Sequence, residues 1–296
     1  AADSLLGPAK LLPPDPPSFL EESRMGEALK AERAKMNSLS GAAKEEANRG
    51  IGQYVRATQG RQMTELRGWW LNQMAQPTRA AREKLILFLH GHFATSFEKV
   101  RSPHLLYQQN SLFREKGYGM WSDLVLGVAQ DPAMLIYLDG AKSRAEAPNE
   151  NFARELFELF TLGEGNYTEK DIQESARAFT GWGIGATNGK KAGLQRGAQP
   201  SFKNMPKWHD SGSKTIFGAT GNFDGSDVVR LTLAQDAAPR WIVQKLWKFY
   251  AGWSAPEPLL QELVKEWQSL KGEIRPFLMA MWTNPNLYDP VRAADR

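Results

Sequence analysis

The sequence predicts a mainly α protein: a single multi-helix domain with a small β-hairpin or flap inserted into it. Three observations carry that expectation. Apolar residues recur at helical spacing in one segment after another, from about residue 63 to the C-terminal helices. Those segments are punctuated by cap residues and by Pro or Gly at their ends, as at Asp131-Pro132 and Asn149-Glu150. Only residues 201–218 read as strand, turn and return strand, and no long internal repeat is evident. At 296 residues the chain has ample material for one large core.

In order along the chain, residues 1–20 hold five prolines and read as an extended arm. Residues 21–60 are rich in Ala, Glu, Lys and Arg with few large apolar side chains, which predicts one or two long, exposed, peripheral helices. Residues 61–296 form the helical core domain, with the loop and hairpin insertion at about 183–217. Its first helix turns Trp69, Trp70 and Met74 inward and ends at Gln76-Pro77. Thr78 then caps a helix whose run from Leu85 to Phe93 is apolar on nearly every face, the mark of a buried helix. Asp131 and Pro132 open a further helix that Gly140 closes. Asp139 at that closing turn is either a turn residue or a carboxylate aimed at the helix that follows.

Charge and apolar bulk meet most densely from Pro148 to Trp182. Asn149 reads as an N-cap, with Glu150 in the first turn where the helix dipole favours an anion. Phe152, Leu156, Leu159 and Phe160 fall on one stripe and should be core, while Asn151, Arg154, Glu155 and Glu158 share the opposite face. Gly163 should end that helix. Thr168 and Asp171 then resemble a capping box for a second helix, which turns Ile172, Ala176 and Phe179 inward and Asp171, Glu174 and Arg177 to another face. The charges also fit a solvated face, because Glu150–Arg154 and Arg154–Glu158 are i,i+4 pairs worth about 0.2–0.5 kcal/mol each. After Trp182, a Gly-, Ala- and Lys-rich loop leads to the expected hairpin, with His209-Asp210-Ser211-Gly212 at its turn and Lys214–Phe217 as the return strand.

HGHFATSFEKV, QDPAMLIYLDG, PNENFARELFELFTLGEGNYTEKDIQESARAFTGW and HDSGSKTIFG together resemble the exported bacterial family known as domain of unknown function 1800. The resemblance runs from about Leu85 to the C-terminal helices. It implies a mostly helical protein placed in the periplasm or secreted, and it brings no reaction with it. The start at Ala1-Ala2-Asp3 fits either a mature end left by signal cleavage or a chosen boundary.

Composition narrows the chemistry. No cysteine is present, which removes thiolate nucleophiles, disulfides and zinc–thiolate sites. A net charge of +4, dispersed along the chain, does not make a nucleic-acid footprint. No apolar run is long enough for a membrane span, and no dinucleotide, P-loop or esterase motif is present, so no cofactor is implied. His90 and His92 stand about 200° apart on a helix and could share a metal ion only if the helix broke at Gly91; the expectation is no metal. What remains is carboxylates among aromatic rings, the equipment of glycoside hydrolysis. On that analogy Glu155 or Glu158 would be the general acid, with Glu169, Asp171 or, less favourably, Asp139 as second carboxylate. Glu150, Asn151, Arg154, Trp182 and His209 would contact a cell-wall or extracellular polysaccharide, such as peptidoglycan. Two rivals stand beside this reading. One is a metal-dependent enzyme using His90, His92, His104 or His209 with the glutamates. The other is a noncatalytic binding or assembly protein whose acidic cluster is a structural network.

Overall fold

The computed structural model describes residues 13–21, 24–186 and 200–289. The first part of the proline arm and residues 187–199 of the expected loop lie outside the described residues. Among the described residues thirteen α-helices follow one another: α1 (Arg24–Asn37), α2 (Gly41–Met74), α3 (Ala80–His92), α4 (Phe97–Val100), α5 (Pro103–Lys116), α6 (Trp121–Ala129), α7 (Pro132–Tyr137), α8 (Glu150–Glu155), α9 (Glu169–Ala178), α10 (Gly225–Leu233), α11 (Ala237–Ala251), α12 (Glu257–Ser269) and α13 (Ile274–Thr283). Two antiparallel two-stranded sheets interrupt them. In one, β1 (Trp182–Ala186) pairs with β2 (Pro200–Asn204); in the other, β3 (Lys214–Ile216) pairs with β4 (Ala219–Gly221). The expected mainly α class with a small β insertion is the class observed.

The caps read from sequence are present. Asn149 accepts from the Asn151 N–H, Asp131 from that of Met134, and Thr168 and Asp171 form a reciprocal capping box. Thr78 differs: it lies in a 3-10 turn, Pro77–Arg79, and α3 starts behind Arg79 without a side-chain cap. Helix α2 runs unbroken through residues 60 and 61, so the peripheral helices and the core share one rod. The arm crosses that rod. Glu65 accepts from the Ser18 hydroxyl and the Phe19 N–H, and Trp69 Nε1–H donates to Asp15 O at 2.7 Å. Phe19 is fully buried against Leu66, Leu105 and Leu106, a burial that contributes about 1.5–3 kcal/mol and so offsets the ordering of the arm.

The main core is built by α3, α5 to α13 and the segment Leu156–Thr161, with Phe93, Phe157, Trp247 and Phe277 among its largest buried side chains. That segment is where the helical reading fails in register. After Glu155 the α-helix continues as a π-helix over Leu156–Thr161, with Leu162 N–H donating back five residues to Phe157 O. The wider turn rotates the apolar stripe. Leu159, expected inward, is 45% exposed, and Phe157, outside the expected stripe, is fully buried. Side chains from two neighbouring helices hold the widened turn. Trp241 Nε1–H and Lys245 Nζ donate to Leu159 O at 3.0 and 3.2 Å, and His92 Nε2–H donates to Phe160 O at 2.9 Å. Gly163 ends the turn at φ +78°, where a Cβ would also lie 2.7 Å from the Trp241 ring.

The hairpin is paired differently from the sequence reading. Residues 200–204 pair back to β1, and Lys214–Ile216 pairs forward with Ala219–Gly221 through a turn at Phe217 and Gly218, both at positive φ. Between the two sheets, Pro206–Trp208 is a 3-10 turn and His209–Gly212 is a connection rather than a hairpin tip. The local strand signals are sound. The partner of residues 200–204 lies across residues 187–199, and no short-range turn specifies that pairing.

Candidate functional site

Helices α8 and α9 lie side by side, and the two acidic faces divide into two groups with different work. On α8, Arg154 makes a bidentate pair with Glu169 of α9 at 2.7 and 2.8 Å, with Glu150 at 3.8 Å. All three are open to solvent, so this is a surface pairing, and Arg154 holds the Glu169 carboxyl below the usual range. Asn151 is exposed beside it. Glu158 accepts from the Tyr167 hydroxyl at 2.9 Å, while burial, reinforced by that carboxylate, pushes the Tyr167 phenol up to about 12. Glu155 is half-buried and forms no ion pair among the described residues; burial raises its carboxyl, and Glu158 raises it further. A carboxyl raised in this way beside a second carboxylate can hold and exchange a proton, the minimum requirement of a general acid.

The second group ties the β3–β4 segment to α9. Asp171 accepts from the Thr168 N–H and hydroxyl in its capping box and, through its other oxygen, from Phe217 N–H at 2.7 Å. Glu174 accepts from Thr215 N–H at 3.0 Å and from Arg177. Arg177 reaches Asp210 at 2.8 Å and Ser213 O at 3.1 Å, and it holds the Asp210 carboxyl low. Beneath it Lys214, 1% exposed, donates to Asp210 O, Gly212 O and Asn222 Oδ1. A buried lysine carries no periodic signal, and sequence reading misses it. The result is a clasp in which main-chain N–H groups of a strand end on helix carboxylates.

The remaining expected site residues are placed elsewhere. Trp182 is 2% exposed, packed edge-on to Phe179 and Phe202 with Gly225 against its ring, so it belongs to the core. His209 is half-buried, and its Nδ1–H donates to Thr180 O at 2.9 Å. Asp139 is a turn residue at φ 57° and pairs with Lys99 and Lys142, not with α8. His104 packs edge-on to Phe19. Among the described residues no group of three His, Asp or Glu side chains is close enough to hold a metal ion. Two cavities among the described residues have other linings: the proline arm and α2 with Trp69 in one, the N-termini of α6 and α11 with the end of α12 in the other.

His90 and His92 point apart, as helical geometry requires. Asn110 Nδ2–H donates to His90 Nε2, and the ring sits between Trp70 and Phe113. Burial is the main cause holding both imidazoles at about 3, with Arg114 adding to it for His90 and Lys245 for His92. Burial also pushes the Asp131 carboxyl up to about 7, against its bonds from Met134 N–H and Gln109. These shifts set a pH dependence with a definite sign. Below about pH 6.5 the unfolded chain binds two protons on these histidines that the fold refuses, while the fold keeps one on Asp131 that the unfolded chain releases above about pH 3.8. The unfolded state therefore binds one more proton between about pH 4 and 6. Stability should fall on acidification through that window, by up to about 1.4 kcal/mol per pH unit. Urea unfolding at several pH values checks this, and Asp131→Asn should steepen the slope; a flat profile would contradict it.

Over residues 7–295 the chain matches the family described as protein of unknown function (DUF1800), and it belongs to that family. No curated protein and no solved structure matches it.

Proposed function

We propose that this family member is an exported binding or assembly protein, periplasmic or secreted, whose acidic helix pair serves chiefly to fasten the β3–β4 segment to the helical body. The clasp carries this reading: Asp171, Glu174 and Asp210 are each engaged by main-chain N–H groups, by Arg177 or by both. Carboxylates committed in this way cannot act as acid or base without releasing the strand they hold. Export rests on the family resemblance, and the absence of cysteine is compatible with it.

One observation favours a second reading, a glycoside hydrolase-like enzyme acting on a cell-wall or extracellular polysaccharide. Glu155 has no ion pair among the described residues, its carboxyl is raised, and Glu158 with Tyr167 stands beside it. In that reading Glu155 is the proton donor and Glu158 the partner carboxylate. Arg154, Glu169, Glu150 and Asn151 then form the adjoining polar surface for substrate. Glu155→Gln and Glu158→Gln, tested separately on peptidoglycan and a glucan panel, distinguish the two. The binding reading expects no hydrolysis by wild type and melting temperatures unchanged within about 2 °C, since neither side chain holds another element. The hydrolase reading expects wild-type turnover that falls by a factor of about 100 or more in Glu155→Gln.

A further inference from the structure

We infer that the cavity between the N-termini of α6 and α11 and the end of α12 is a binding site for a single neutral sugar ring. The cavity is about 310 Å³, at the small end of the ligand-pocket range and enough for roughly one ring. Trp121 and Trp267, 6% and 5% exposed, line it and meet edge to face at 6.4 Å. Buried indoles ordinarily spend their N–H on an acceptor. Among the described residues neither of these two does, and unlike that of Trp247 neither nitrogen is sealed from solvent. The nitrogen edge of Trp267 lies along Gly272, which also lines the cavity and has no side chain to cover that edge. Two well-buried indoles thus line one space, with N–H groups that lack protein partners among the described residues and are not sealed from solvent.

The rest of the wall selects the class of ligand. Ser122 and Gln268, both exposed, bring groups that donate and accept. Gln235 commits its amide N–H to Leu231 O, which leaves its oxygen as the acceptor it can offer a ligand. Asp236 adds an acceptor and Lys271 a donor, so the rim carries one charge of each sign and favours no net charge in the ligand. Hydroxyl groups both donate and accept, and a pyranose ring offers several of them without carrying a charge. An anion would meet Asp236, and an apolar ligand would leave the two indole N–H groups without partners.

This goes beyond the binding reading by naming a ligand and a place, and the two fail separately, because none of these residues belongs to the clasp. The test is a titration of the full chain labelled with ¹⁵N-tryptophan. Indole signals are followed with methyl β-glucoside, with N-acetylglucosamine and, as the anion arm, with sodium acetate; Trp121→Phe and Trp267→Phe assign the two signals. The inference predicts saturable shifts of those two resonances with either sugar, at a Kd of about a millimolar for so small a ligand. Ser122→Ala and Gln268→Ala, both at exposed positions, should each weaken binding about fivefold. Shifts with acetate alone, or none in any arm, overturn it.

Discussion

Arg114→Ala should damage the fold more than any other substitution proposed for this protein, lowering stability by about 3–5 kcal/mol and the melting temperature by on the order of 10 °C. Arg114 on α5 forms a bidentate pair with Glu83 on α3, whose side chain is 1% exposed. Its Nε–H donates to Asn110 Oδ1 at 2.7 Å, which orients the Asn110 amide toward His90 Nε2. Glu83 also accepts from Trp70 Nε1–H at 3.0 Å. Removing the guanidinium leaves a buried carboxylate with one neutral donor, and that uncompensated charge accounts for the size of the effect. Replacing both partners, as in Glu83→Met with Arg114→Met, should recover most of the loss, because the pair's own attraction is largely cancelled by its desolvation. Thermal melts of the two singles and the double in one cycle check this; additive losses would contradict it.

Arg177→Ala should cost about 2–3 kcal/mol, with an effect confined to one place. It removes the bonds to Asp210, Glu174 and Ser213 O together and leaves two half-buried carboxylates facing each other across the clasp. The segment from Asp210 to Gly221 gives the core Ile216 and the half-buried ring of Phe217, which lies 5.1 Å from that of Phe157, and the rest of its attachment depends on those bonds and on the two strand N–H groups held by Asp171 and Glu174. Melting by circular dichroism, which follows helix, should show a modest fall. Arg177→Lys should recover part of it, since one ammonium cannot reproduce the fork that reaches both carboxylates.

What the sequence discloses about this molecule is local. Asn149, Asp131 and the Thr168–Asp171 box are legible because a cap acts over two or three residues, and the inward face of α9 is legible because an α-helix repeats evenly. Leu159 is misplaced by that reading because the repeat itself changes at Leu156, and the cause is remote. Trp241, Lys245 and His92 satisfy carbonyls of the widened turn from helices far away in the chain. The strand at residues 200–204 is visible and its partner is not. The burial of Glu83 has no local signal, since its partner Arg114 comes from another helix, and that of Lys214 depends on the fold of the Asp210–Gly212 connection around its ammonium. The acidic stretch around Glu155 is legible as a meeting of charge and core. Its division into a clasp on α9 and the Glu155–Glu158 pair at the α8–π-helix junction depends on which strand crosses above it, and that is a tertiary fact.

The central claim is that the α9 carboxylates hold the β3–β4 segment. Amide hydrogen exchange of Arg177→Ala against wild type measures it directly. The clasp predicts that Thr215 and Phe217, protected in wild type by Glu174 and Asp171, exchange faster in the variant along with the rest of residues 210–221, while α9 and the Trp247 core keep their protection. Unchanged exchange at those two amides, or an equal loss of protection throughout the molecule, would contradict it.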